Sequence, residues 1–340
     1  MDTDTIDIVM RAYGLADARV SVISDGLMHK TYAVSSSGGE YILQELHPMV
    51  SEGSIRDFVR VTDHLQTKGV RSPRCVRTTS GEPLVRHDGR IFRLQTRIAG
   101  RTYTSTDDPD LIREAGGAVA RFHRGMVDYD SPFESDLVLH RTREIHADLR
   151  AIVEQFAGNP LMTDDVAGVT AMLLDRLPSL YLPDDLPLRV VHADLKISNI
   201  IFDDAGHAAA LIDLDTCNRM PLPVELGDAF RSWCGAEEDD PQNAFSLQRF
   251  AAGWEGYVRA AGDFVTSEER SRIVQGVILI TLELAARFMH DHFADSYFSW
   301  DEKRYPSRRA HNLARAQGQL ALYRSLEEQR DDAEMIVRSA

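Results

Sequence analysis

A chain of 340 residues is longer than a typical single domain, so two lobes with a cleft between them are the first expectation. A hydrophobic fraction of 43% and a charged fraction of 27% fit a protein with a large packed core and exclude wholesale disorder. A formal net charge of −15 argues against a nucleic-acid partner, which calls for a basic footprint that displaces counterions from phosphates.

Cys75, Cys217 and Cys234 lack C-x-x-C spacing, so neither a disulfide framework nor a structural zinc site is indicated. The N-terminal Met1-Asp2-Thr3-Asp4 is acidic where a signal peptide is basic and then apolar. The longest apolar stretch, from Val277 to Ala286, is interrupted by Glu283 and reads as a buried helix. A cytoplasmic protein with no membrane partner is expected, as a monomer or homodimer.

In chain order, residues 18–46 alternate as strands around Ser24-Asp25-Gly26 and Ser36-Ser37-Gly38-Gly39, which predicts an antiparallel meander. A helix follows from about Ser54, with Ile55, Phe58, Val59, Thr62 and Leu65 on one face, and stops at Gly69. His87-Asp88-Gly89 signals a hairpin, and the strand from Ile91 runs out to Gly100. Residues 1–98 therefore form a small β-rich lobe. From residue 99 the pattern turns helical, with Asp108 as cap and Pro109 in the first helical position. A capping box, Thr266-x-x-Glu269, opens one of the long helices, and the last lies near 310–330.

One β-rich interruption, at 188–215, breaks the helical lobe and carries the chemistry. It reads Arg189-Val190-Val191-His192-Ala193-Asp194-Leu195-Lys196-Ile197-Ser198-Asn199, then a turn at Asp203-Asp204-Ala205-Gly206, then Ile212-Asp213-Leu214-Asp215. Phosphoryl transfer requires a carboxylate to orient the attacking hydroxyl and oxygen ligands to hold magnesium on the phosphates. Asp194 fits the first role, Asn199 and Asp213 the second, and Lys196 would neutralise charge on the transferring group. His192 reads as a brace of the loop and not as a base.

These brackets, H-x-D-x-x-x-x-N and I-D, resemble the aminoglycoside and choline phosphotransferase superfamily of the protein-kinase-like fold. Further segments are similar to the N-acetylhexosamine 1-kinases: Tyr41-Ile42-Leu43-Gln44, residues 60–65, Ile212-Asp213-Leu214-Asp215-Thr216, residues 225–232, Glu283 to Phe288, and Asn312-Leu313-Ala314-Arg315-Ala316. The resemblance covers most of residues 20–330. It implies an α+β fold, with a small antiparallel β-rich N-lobe and a larger helical C-lobe. It also implies an enzyme that uses ATP and magnesium to phosphorylate the anomeric hydroxyl of N-acetylglucosamine or N-acetylgalactosamine, with GTP a possible donor.

One departure stands out. Kinases of this fold place a lysine on the third strand to hold the nucleotide phosphates, and Gln44 stands there, as it does in the hexosamine kinases; the following helix has Arg56 and Asp57 where a partner glutamate belongs. Lys30 on the preceding strand is the candidate replacement, with a solvated surface lysine as the alternative. Gly26 and His29 fall in a loop placed to cover phosphates, and Gln95 and Arg97 in the stretch placed as the interlobe hinge, where the adenine edge would bind. Asp215, Arg231 and Arg287 are the candidate contacts to a sugar's hydroxyls, structural ion pairing being the alternative for each. Asp228 is expected to tie down the catalytic loop. Two other readings stand beside the sugar kinase: a kinase of another small alcohol, such as an aminoglycoside, choline or homoserine, and a nucleotide-binding pseudokinase.

Overall fold

The computed structural model describes residues 3–25, 29–48, 50–135 and 138–340. The N-terminal lobe begins with helix α1 (Thr3–Ala12), which the sequence reading did not anticipate. The expected meander follows as β1 (Arg19–Asp25), β2 (His29–Ser36) and β3 (Gly39–Leu46). After helix α2 (Glu52–Thr67) come β4 (Cys75–Val76), β5 (Val85–His87) and β6 (Arg90–Thr96). They form one antiparallel sheet in the order β1-β2-β3-β6-β4, with β5 also paired to β6.

Strand alternation splits this sheet into two unlike faces. Tyr32, Val34, Leu43, Phe92 and Leu94 pack on Val9, Met10 and Tyr13, so α1 and the turn after it close the outer face. Gln44, Arg93 and Gln95 are also buried, on the inner face that looks towards the second lobe. The β5–β6 hairpin turns through Asp88 and Gly89, both at positive φ, as the His-Asp-Gly signal implies. Helix α2 is capped by Ser51, whose side chain accepts from the N–H of Ser54, and is followed by Gly69 at φ +69. Asp57 of α2 accepts from the N–H groups of Glu134 and Ser135, each at 2.8 Å, and so pins the helix to the second lobe.

The second lobe opens with α3 (Pro109–Gly125), whose N-cap Asp108 accepts from Asp110 N–H. It continues through α4 (Thr142–Gln155), α5 (Asp164–Arg176), β7 (Leu188–Val191), β8 (Ile200–Phe202), β9 (Ala208–Leu211), β10 (Asn218–Pro221), α6 (Leu222–Cys234) and α7 (Leu247–Ala261). Strand β7 and the hairpin β8–β9 form the β-rich interruption expected over 188–215, and β10, which pairs with β7, extends it beyond those bounds. Helices α3 and α7 cross with their backbones nearly touching: a Cβ on Gly256 would lie 1.9 Å from the carbonyl oxygen of Arg113.

The Thr266–Glu269 capping box forms, but it opens only the five-residue α8 (Ser267–Ser271). The chain breaks at Arg272 before the long α9 (Ile273–Ala294) begins, so the box marks a helix start without fixing a helix length. Helix α9 is long and apolar enough to cross a membrane, yet 83% of its apolar window is buried inside the protein, as the reading of this stretch expected. Helices α10 (Arg308–Glu328) and α11 (Arg330–Ser339) complete the lobe.

Candidate active site

Strand β7 delivers the chain into the catalytic loop, and four side chains hold that loop in shape. Glu225 of α6 accepts from His192 N–H and Ala193 N–H, each at 2.8 Å. Asp228, one turn on, accepts from Leu195 N–H at 3.2 Å, and Trp233 donates its indole N–H to the carbonyl of Leu195 at 2.7 Å. His192 donates from Nε2 to the carbonyl of Ile212 at 2.7 Å and accepts at Nδ1 from Asp194 N–H at 3.3 Å, which assigns its tautomer. His192 and Asp228 thus have the bracing roles read from the sequence. The restraints hold Ala193 at φ +66, where an alanine is strained, and aim Asp194 out of the loop.

Asp194, Lys196 and Asn199 converge. Lys196 Nζ lies 3.0 Å from Asp194 Oδ2, and Asn199 Nδ2 donates to the Asp194 carbonyl at 2.8 Å and to Asp194 Oδ2 at 3.2 Å. Asn199 has both bonds on its nitrogen, which leaves its oxygen as an available ligand. Partial burial opposes the charge on Lys196, but the carboxylates of Asp194, Asp213 and Asp228 outweigh it and raise its pKa.

Asp213 follows β9 in the left-handed conformation, φ 64 and ψ 52, at the entry to a short 3-10 turn over Leu214–Thr216. Burial, then Asp215 and Asp194, push its carboxyl above the usual range. A carboxylate crowded by two others is relieved by a cation, and the oxygens of Asp213 and Asn199 are the hard donors a magnesium ion takes. His29, Asp213 and Asp215 also have possible ligand atoms within 4.8 Å of one another. Those of His29 and Asp215, however, are engaged elsewhere.

Asp215 is 5% exposed and bound by Arg93 of β6, Nη1 to Oδ1 at 2.6 Å and Nη2 to Oδ2 at 2.7 Å. His29 Nε2 lies 3.4 Å from Asp215 Oδ2, while its Nδ1 accepts from His47 N–H at 3.4 Å. Burial opposes the charge on Asp215, but Arg93 and then His29 hold its carboxyl far below the ordinary range. The expectation that Asp215 meets a sugar hydroxyl is therefore corrected: both its oxygens face into the lobe junction.

The N-lobe expectations divide. Gly26 lies outside the described residues. Gln44 and Gln95 are buried on the inner face. Lys30 is not brought in: Thr31 pairs with Gln44, so Lys30 projects from the other face, where it lies 3.9 Å from Glu45. Arg97 also turns away, with Nη1 3.4 Å from a Glu40 carboxylate and its N–H spent on the Glu40 carbonyl. Behind it, Gly100 at φ +141 sits where a Cβ would lie 2.4 Å from the Phe202 carbonyl oxygen, so the interlobe connection lies flat on β8. Ile98, Ile201, Ala210 and Ile212 make an apolar cluster there, suited to a flat base.

Of the residues expected to meet the acceptor, Arg231 is buried and donates to Asp228 at 2.9 Å. Burial opposes the charge on Asp228, and Arg231 and His140 outweigh it, keeping that carboxyl low. Glu283 of α9 accepts from His140 Nδ1 at 2.8 Å and from the Thr142 hydroxyl. Arg287, one turn further, lies 5.7 Å over the ring of Phe298. The loop carrying Phe298 hangs on Asp291, which accepts the N–H groups of Ser296, Tyr297 and Phe298 and the side chain of Asn312. Sequence reasoning missed Arg93, Glu225, His140 and the role of Glu283. The one local signal was Arg93 itself, a charge between Phe92 and Leu94 in a buried strand.

Residues 19–262 match the model of the phosphotransferase enzyme family. The chain belongs to that family. A homoserine kinase of Methylocella silvestris is 28% identical over 238 residues, covering 69% of each chain. A homoserine kinase of Methylorubrum populi is 27% identical over 299 residues, covering 86% of this phosphotransferase and 87% of the relative. Among solved structures, the amicoumacin kinase hAmiN in complex with AMP-PNP, Ca2+ and Ami superimposes with a TM-score of 0.65 at 16% identity, covering 94% of this phosphotransferase and 93% of that chain. The fold is kinase-like, an antiparallel β-sheet lobe on a helical lobe.

Proposed function

We propose that the protein transfers the γ-phosphate of ATP, with magnesium, to a hydroxyl of a small metabolite. Residues 1–98 take the nucleotide, and residues 99–340 carry the catalytic loop and the acceptor site. The observation that carries this reading is the convergence of Asp194, Lys196 and Asn199 beside Asp213. Asp213 and the free oxygen of Asn199 would hold the metal, which supplies charge neutralisation on the phosphates. Asp194 has Oδ2 fixed by Lys196 and Asn199, which leaves Oδ1 to orient the acceptor hydroxyl and accept its proton.

For the acceptor we propose a sugar, with the anomeric hydroxyl of an N-acetylhexosamine first. Two of the segments that resemble the hexosamine kinases bear on this acceptor: Glu283 and Arg287 would line its wall, and Asn312 braces the loop carrying Phe298. The carboxylates of that wall have partners of their own, Asp228 with Arg231 and Glu283 with His140, which suits a neutral acceptor better than a cationic aminoglycoside or choline. A second reading, homoserine, is favoured by the homoserine kinases among the relatives and by Arg287, a guanidinium one helical turn from Glu283 that could meet a carboxylate.

The test is turnover with ATP and magnesium against N-acetylglucosamine, N-acetylgalactosamine, glucose, galactose, homoserine, choline and kanamycin. A 1-phosphate of an N-acetylhexosamine supports the first reading, and O-phosphohomoserine the second. Preferential phosphorylation of choline or kanamycin would contradict the argument from the acceptor wall.

A further inference from the structure

Gln44 and Arg93 stand opposite one another on β3 and β6, on the face that looks towards the second lobe. Arg93 donates from Nη2 to Gln44 Oε1 at 2.6 Å and grips Asp215 with both ends of its fork at 2.6 and 2.7 Å. Its guanidinium carbon lies 3.9 Å over the ring of Phe58 on α2, and its side chain is 1% exposed. Only its Nε is without a partner. Both ends of the fork are therefore committed within the protein, and Arg93 is not free to take the nucleotide phosphates.

Asp215 belongs to the 3-10 turn that Asp213 opens. The next residue, Thr216, donates its hydroxyl to the carbonyl of His192 at 2.7 Å. The turn is held to the catalytic loop on one side and to the N-lobe sheet on the other, through side chains of β2, β6 and, by way of Arg93, β3 and α2.

We propose that the buried pair Arg93–Asp215 is the device by which the N-lobe sets the position of Asp213, in place of a lysine on strand β3, and that Arg93 is a positioning residue for the metal ligand. The proposal rests on the reading of Asp213 as that ligand. It also accounts for Gln44: a lysine there would set an ammonium against the Arg93 guanidinium, whereas the glutamine offers it an oxygen. With the tie to the second lobe made from β6, the side chain of β3 is left to orient Arg93.

The test uses the full-length protein and reads metal binding directly, by calorimetric titration of Mg2+ into protein saturated with ADP, beside the affinity for ADP without metal. Arg93→Lys keeps the charge and loses the fork. It is expected to weaken Mg2+ binding by about 10- to 100-fold, as the loss of a residue behind a metal ligand does. Asp215→Asn is expected to do the same, with metal-free ADP affinity unchanged in both. Unchanged Mg2+ affinity in Arg93→Lys would overturn the proposal. So would loss of metal-free ADP binding, which would make Arg93 a phosphate ligand, or a variant that does not fold, which would make the fork a requirement of the fold alone. Asp213→Asn separates the two claims: if it binds Mg2+ normally, the ligand reading has failed, and if it does not while Arg93→Lys does, the tie has failed.

Discussion

The carboxylate of Glu225 accepts the backbone N–H of His192 at 2.8 Å, and its second oxygen accepts that of Ala193 at the same distance. One fully buried side chain thereby shapes the turn that presents Asp194, from a helix 33 residues further along the chain. Glu225→Ala leaves both N–H groups buried without partners. Unfolding in urea is expected to show a loss of about 2 to 5 kcal/mol, with turnover reduced in the folded fraction. A midpoint equal to wild type would show that Glu225 does not hold the loop.

Asp194→Asn keeps the size of the side chain and removes the carboxylate proposed to accept the proton. The expected result is a fall in kcat of about 10²- to 10⁴-fold with little change in nucleotide affinity. Steady-state kinetics beside a nucleotide titration checks this, and near-normal kcat would remove Asp194 from its role.

His140 and Glu283 form a buried ion pair, 2.8 Å apart, in the proposed acceptor wall. Burial resists the imidazolium, but the Glu283 carboxylate outweighs it and raises the His140 pKa above its ordinary 6.5. The pair's stabilisation is therefore complete below pH 6.5 and is lost as pH rises through the higher folded-state value. The difference in melting temperature between wild type and His140→Gln should be largest in acid and shrink as pH rises. A difference that is constant or grows with pH would contradict the protonated pair.

Gly256→Ala puts a methyl group 1.9 Å from the Arg113 carbonyl oxygen, where two helix backbones meet and neither can rotate away. Forcing α3 and α7 apart is expected to cost about 3 kcal/mol or more, seen as a lower melting temperature. Because the crossing lies outside the site, acceptor preference should not change.

The convergence of Asp194, Lys196 and Asn199 was legible because the parts are close in sequence: strand β7, a polar loop, a hairpin and Asp213 span 26 residues, 188–213, and turn chemistry fixes their order. The two lobes were legible from the switch between strand alternation and helical periodicity after Gly100. The Arg93–Asp215 pair joins residues 122 apart and His140–Glu283 residues 143 apart, and no local pattern records such a meeting. Lys30 is a different lesson. The hairpin register sets it out of phase with Gln44, so its charge could not reach the inner face. Asp215 looked like a substrate contact because it follows Asp213 closely, but a turn can send residues two apart to different partners.

Phosphoryl transfer to an alcohol is tested most directly by phosphorus NMR of the protein with ATP, magnesium and N-acetylglucosamine. ADP and a new phosphomonoester resonance coupled to the anomeric proton are expected, both absent when Asp213→Asn replaces wild type. ATP left intact, or ADP with inorganic phosphate alone across the whole acceptor panel, would contradict it.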